Sequence, residues 1–191
     1  MTKIAFSGAH SCGKTTAILD IYSYLKGKGV KSLGILPEVA RWCPFDLNKQ
    51  TTFKSQLWIL TNQIQQEYQL QQTYDTVLCD RTVYDILAYS QYSLEHDKMN
   101  SGEYYFLDNM TDLWAREFSY DTIFYLTPVP VEKDGFRDAD VGYQQDINDR
   151  MLEIFSKADL GNKKFYVIEG ARKVRLKKII KYLEERCRVD V

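Results

Sequence analysis

The eight residues Gly8-Ala9-His10-Ser11-Cys12-Gly13-Lys14-Thr15 satisfy the pattern G-x-x-x-x-G-K-[ST], whose chemistry is the cradling of phosphate. The two glycines let the backbone wrap around an anion, successive N–H groups point at it, and a helix dipole adds positive potential. Lys14, expected to face solvent, is placed to reach the β- and γ-phosphates of ATP, and the hydroxyl of Thr15 to hold Mg²⁺. The candidate nucleotide-binding set is therefore Gly8, Ala9, His10, Ser11, Cys12, Gly13, Lys14, Thr15 and Thr16. His10 has the side chain of an acid or base, but this loop works through its backbone, so a structural part is expected for it.

Four further segments carry groups that suit phosphoryl transfer. Thr76 to Asp80 is an apolar run ending in a carboxylate, the form of a second Mg²⁺-supporting acid, and Arg81 beside it offers a planar fork for phosphate or acceptor. Asp80 could equally cap the helix that follows. In Pro37-Glu38-Val39-Ala40-Arg41, Glu38 could accept the proton of an acceptor hydroxyl and Arg41 could anchor a polar group. Thr127 to Gly142 is a long connection in which Arg137 could close over ATP as part of a lid. Gln56 and Gln63, seven residues apart on one helix face, could hydrogen-bond a nucleobase, and Tyr84, Tyr89 or Tyr92 could stack on one.

These residues need a scaffold that brings loops together. Strand-length apolar runs occur at Lys3 to Ser7, Lys31 to Leu36, Thr76 to Asp80, Thr122 to Leu126 and Phe165 to Glu169. Amphipathic segments separate them, near Thr15 to Lys28, Asn48 to Gln72, Val83 to Tyr92, Gly102 to Phe118, Tyr143 to Lys157 and Ala171 to Arg188. The alternation predicts an α/β fold, a five-stranded parallel sheet with helices on both faces and ligands gathered at the carboxyl ends of the strands, and the Gly8 to Thr15 loop at its first strand–helix junction with the long connection at Thr127 to Gly142 makes it a P-loop NTPase fold with a lid loop. A length of 191 residues suits one domain, 1–191, with its lid at about 127–142.

Composition narrows the partners. The chain has 25 Lys and Arg against 26 Asp and Glu, a net charge of −1, so it lacks the overall positive field of a duplex-binding protein. Arg172 to Arg188 is locally basic, on a helical pattern that reads as a solvated last helix. No apolar run reaches the roughly 18 to 20 residues that cross a bilayer, and the N-terminus lacks a secretory pattern, so a cytoplasmic protein without a membrane partner is expected. Cys12, Cys43, Cys79 and Cys187 are too scattered for a zinc site or a disulfide framework.

Taken together, Phe6 to Thr16, Pro37 to Arg41, Cys79-Asp80-Arg81-Thr82, Asp134-Gly135-Phe136-Arg137 and Ile168-Glu169-Gly170 resemble the small P-loop kinases grouped around the nicotinamide-riboside kinase domain, and more widely the deoxynucleoside and nucleotide kinases. The resemblance implies ATP with Mg²⁺, a lid arginine at Arg137, and an acceptor held between Glu38, Arg81 and the helix containing Gln56. The pattern departs from these families where a second lid arginine often stands: Gln144 and Gln145 are there, and the next arginine is Arg150.

The expected function is ATP- and Mg²⁺-dependent transfer of the γ-phosphoryl group to a nucleoside, nucleotide or related small hydroxyl compound. Glu38 favours a hydroxyl acceptor, since a phosphate acceptor needs no base. Two alternatives stay open. One is a nucleic-acid kinase, acting on a 5′ end or a modified base hydroxyl, with the basic tail as backbone contact. The other is a nucleotide-gated binding module with slow ATPase activity. A homodimer is compatible with all three.

Overall fold

The computed structural model describes residues 1–129, 140–158 and 164–186. Five strands, β1 (Thr2–Ser7), β2 (Leu33–Leu36), β3 (Thr76–Asp80), β4 (Thr122–Leu126) and β5 (Lys164–Ile168), alternate with six helices, α1 (Lys14–Gly27), α2 (Phe53–Thr73), α3 (Val83–Glu95), α4 (Ser101–Glu117), α5 (Val141–Lys157) and α6 (Arg172–Arg186). All strands are parallel, in the order β2-β3-β1-β4-β5.

The sheet is covered on both faces, which is why its strands read as nearly continuous apolar runs. Side chains alternate across it. Ile4, Phe6, Leu78, Phe124, Leu126 and Ile168 pack with Ile18 and Ile21 of α1 and Ile179 and Leu183 of α6. Ala5, Leu36, Val77, Cys79, Ile123 and Tyr125 face the other way, into a core closed by α2, α3, α4 and α5.

The helix expected from Asn48 is interrupted. A short 3₁₀ turn occupies Asn48–Gln50, with Asn48 at φ 57°, and α2 begins only at Phe53. Thr52 is extended and its N–H donates to Ser55 Oγ, a local bond that ends one segment and starts the next.

The register places the chemistry. Phe6 pairs with Asp80 and Ser7 with Tyr125, so the chain leaving β1 runs between the ends of β3 and β4. Residues 130–139 of the connection read as a lid, Arg137 among them, lie outside the described residues. Among the described residues, no helix is long and apolar enough to cross a membrane.

Candidate functional site

The loop after β1 depends on two glycines. Gly8 has φ 139°, and a Cβ there would lie 2.4 Å from the Leu126 carbonyl oxygen, so no side chain fits without moving β4. Gly13, at φ 87°, is the N-cap of α1 and provides no side-chain cap, whereas α3, α4 and α5 begin with the side chains of Thr82, Asn100 and Asp140 accepting backbone N–H groups. The first turn of α1 thus keeps its donors for an anion.

Lys14 is not solvent-facing as expected; only 4% of it is exposed. Its Nζ donates to the carbonyls of Gly8 and Ala9, both at 2.8 Å, because an ammonium folded over the loop takes the nearest oxygens. Thr15 Oγ1 donates to Asp80 Oδ2 at 2.5 Å. The other carboxylate oxygen, Asp80 Oδ1, is buried and accepts no hydrogen bond from the described residues. Burial raises the pKa of Asp80, with Glu38 adding to the shift and Lys14, Thr15 and Arg81 opposing it. A desolvated carboxylate oxygen beside a hydroxyl and a phosphate-binding loop fits a divalent cation. With Thr15 Oγ1 and Asp80 as its protein oxygens, and no group of three or more His, Cys, Asp or Glu among the described residues placed to hold a metal, this site fits an ion that keeps water and phosphate oxygens, as Mg²⁺ does.

Arg81 follows Asp80 with φ 93°, a conformation side-chain-bearing residues rarely adopt. Three partners hold it there. Its N–H donates to the Phe6 carbonyl at 3.0 Å, and its carbonyl accepts from Gln63 Nε2 at 3.4 Å. Its Nε and Nη2 both donate to Glu38 Oε1, at 3.0 and 2.7 Å. Glu38 Oε2 accepts from Arg41 Nε at 3.0 Å, so this carboxylate is clamped between two guanidiniums. Asp85 completes the group: its Oδ1 lies 3.6 Å from Arg81 Nη1, while its Oδ2 accepts from Ser7 Oγ and from the hydroxyl and N–H of Thr82. Thr82 and Asp85 together cap α3, so Asp80 is released from the capping role that its position in sequence also allowed.

These groups border a cleft that includes His10, Glu38, Gln56, Arg81, Asp85 and Tyr89 in its walls. Gln56 Nε2 donates to Thr51 Oγ1 at 2.8 Å on the cleft wall. Gln63 lies one layer behind, donating to Glu67 Oε1 at 2.9 Å and to Arg81. Glu67 in turn pairs with the fully buried Lys3 at 2.8 Å and accepts from Tyr120 and Trp114. Of the three tyrosines, Tyr89 borders the cleft with its buried hydroxyl without a hydrogen-bond partner among the described residues, Tyr84 packs on Phe155, and Tyr92 stacks on His96. His10 packs beside Tyr143, and its carbonyl accepts from Gln144 Nε2 at 2.8 Å. Gln144 therefore braces the loop after β1. Arg150 is bound to Glu95 and Asp146.

Sequence reasoning passed over Asp85 and singled out Gln144 only as standing where a lid arginine often does. Asp85 had a signal, the spacing Thr82-x-x-Asp85 of a capping box, but its contact with Ser7 joins residues 78 apart. Gln144 reaches His10 across 134 residues and leaves no local trace.

A family model described as an AAA domain matches residues 3–172. Comparison with curated proteins found no match. Among solved structures, deoxyadenosine kinase from M. mycoides with bound dATP superposes with a TM-score of 0.75 over 97% of this chain and 100% of its own, at 21% identity. The same kinase with bound dCTP gives 0.71 over 96% and 99%, at 22% identity. NadR protein in complex with NR gives 0.73 over 97% of this chain and 50% of its own, at 13% identity. The likeness at these identities is one of fold, and the fold is that of the P-loop kinases.

Proposed function

The chain belongs to this AAA domain family, and from that premise we propose that it is a kinase that moves the γ-phosphoryl group of ATP to a hydroxyl of a nucleoside or a similar small molecule without phosphate. The observation that carries the proposal is the junction of two sites: His10 of the phosphate-binding loop is also a wall of the Glu38–Arg81–Asp85 cleft. A donor on the loop and an acceptor in the cleft meet there. The deoxyadenosine kinase and NadR likenesses support the same reading.

Each residue has a part. Lys14 exchanges the Gly8 and Ala9 carbonyls for the β- and γ-phosphates. Thr15 and Asp80 are the residues that would hold Mg²⁺, which supplies charge neutralisation at the transferred group. Arg81, fixed by Glu38 and Asp85, directs positive charge toward the join of the two sites, and Gln56 gives the acceptor a polar edge. Glu38 orients the acceptor hydroxyl and takes its proton when Arg41, whose side chain is 41% exposed, swings off Oε2.

Charge favours an uncharged acceptor. Among the described residues the two carboxylates of the cleft walls, Glu38 and Asp85, are balanced by Arg81 and by Arg41 bound to Glu38, so the cleft carries no surplus positive charge to hold a phosphate-bearing acceptor. The basic tail gives the nucleic-acid reading less than its composition promises: Arg172 is paired with Asp20 and Arg175 is buried.

Incubation with γ-labelled ATP, Mg²⁺ and a panel of nucleosides, nucleoside monophosphates and DNA tests the proposal. Label should pass to a nucleoside. Label on DNA that disappears with salt would favour the nucleic-acid kinase. Phosphate release that no acceptor accelerates would favour the slow ATPase module.

A further inference from the structure

Arg175 lies in the stretch whose cations read, by sequence, as the solvated face of the last helix, yet only 5% of it is exposed. Its guanidinium donates to the backbone of three separate segments: Nη1 to the Cys12 carbonyl at 2.7 Å, Nε to the Gly170 carbonyl at 2.6 Å, and Nη2 to the Thr127 carbonyl at 2.8 Å. Cys12 belongs to the phosphate-binding loop, Thr127 leaves β4, and Gly170 leaves β5. All its hydrogen bonds go to neutral oxygens, and it forms no ion pair among the described residues. Burial lowers its pKa, but a guanidinium stays charged at neutral pH.

The Cys12 carbonyl shares its peptide with the N–H of Gly13, the N-cap residue of α1, which offers no side-chain cap. In a trans peptide the C=O and N–H point in opposite directions. A cation bound to the oxygen polarises the amide and makes the N–H on the other side a stronger donor. The buried charge of Arg175 thus acts on the phosphate site through one peptide unit.

We infer that Arg175 is a positioning residue for nucleoside triphosphate: it polarises the Cys12–Gly13 amide toward phosphate and ties the phosphate-binding loop to the segments that leave β4 and β5. It does this without touching the nucleotide. The inference rests on the nucleotide-binding half of the proposed function and is independent of the acceptor.

The test is titration of the full chain with a fluorescent ATP analogue and Mg²⁺, for the parent, Arg175→Met, Arg175→Lys and Lys14→Ala, with melting temperatures alongside. Arg175→Met should bind about 10-fold or more weakly, the size of one lost charge-assisted hydrogen bond. Arg175→Lys keeps the charge without the three-way fork and should fall between Met and parent. In turnover assays, KM for ATP should rise while KM for the acceptor stays put, a split that a general loss of stability does not produce. Analogue affinity within 2-fold of parent in Arg175→Met overturns the inference, as does an equal rise in both KM values. Failure of Arg175→Lys to fold also overturns it, by making Arg175 a prop of the fold. A parent that binds no analogue, with Lys14→Ala indistinguishable from it, is a different result and removes the nucleotide reading itself.

Discussion

Arg81 places two nitrogens on one oxygen of Glu38, Nε at 3.0 Å and Nη2 at 2.7 Å, and both residues are more than nine-tenths buried. A guanidinium bound this way cannot rotate freely, and it turns Nη1, which has no hydrogen bond, toward Asp85 Oδ1. The cleft is therefore built with its cation already aimed. That arrangement leads to the first expectation.

Arg81→Ala should cost both stability and turnover. Removing one member of a buried pair leaves the other uncompensated, and with Arg41 still on Glu38 the loss should be about 2–4 kcal/mol, in thermal or urea unfolding. Turnover should fall at least 100-fold, since among the described residues no other Lys or Arg lines the cleft walls. A variant with near-parent turnover would move the transition-state charge elsewhere.

Lys14→Ala should abolish phosphoryl transfer while leaving the circular dichroism spectrum in place. The burial of Lys14 adds a second effect: the Gly8 and Ala9 carbonyls lose their donor, so stability without nucleotide should drop by about 1 kcal/mol. Turnover within a few-fold of parent would refute the assignment of the loop.

Asp80 sets a pH dependence. Its folded pKa is raised by burial, so the folded chain binds its proton more tightly than the unfolded chain does. The resulting stability is present at low pH and is lost as pH rises from the ordinary aspartate value through the raised one. Asp80→Asn removes that loss: at neutral pH the nucleotide-free variant should melt higher, by about 2–4 °C for each kcal/mol recovered. Its turnover should lose Mg²⁺ support, which a Mg²⁺ titration of the rate measures. A lower melting temperature together with unchanged metal dependence would return Asp80 to a structural part.

Glu67→Gln should destabilise without approaching the cleft directly. Lys3 and Glu67 are fully buried against each other, with Tyr120 and Trp114 donating to the carboxylate. Neutralising Glu67 takes away the counter-charge of the buried Lys3 ammonium, which keeps only the Phe118 carbonyl and the faces of Tyr120 and Trp114, at a cost of about 3 kcal/mol. Because Gln63 joins Glu67 to the Arg81 carbonyl, kcat should fall more than KM for ATP. A destabilised variant of parent kcat would show that the strained backbone at Arg81 holds itself.

Much of this protein is local, and local features are legible in a sequence. The loop from Gly8 to Thr15 is contiguous, and its two glycines answer conformational demands made within a few residues, so the motif and the loop coincide. The strands announce themselves because burial on both faces forces apolar runs, and the helices between them keep an apolar stripe. The parallel sheet then puts the ends of β1, β2 and β3 on one side, which brings Lys14, Glu38, Asp80 and Arg81 together as their positions after strands imply.

What tertiary structure alone decided is which polar groups are turned inward, because burial depends on partners far away in the chain. Gln63 and Gln56 share a helix face and are both buried, yet about two turns of α2 between them give one to the cleft and the other to Glu67. Arg175 sits among cations that share its helix and its composition, but three carbonyls from distant segments stand where its side chain points. Lys3 reads as the start of a strand and is the buried counter-ion of a helix residue 64 positions on. A charge stays buried only when distant groups meet it, and the meeting is set by the packing of the sheet and its helices, which no local pattern encodes.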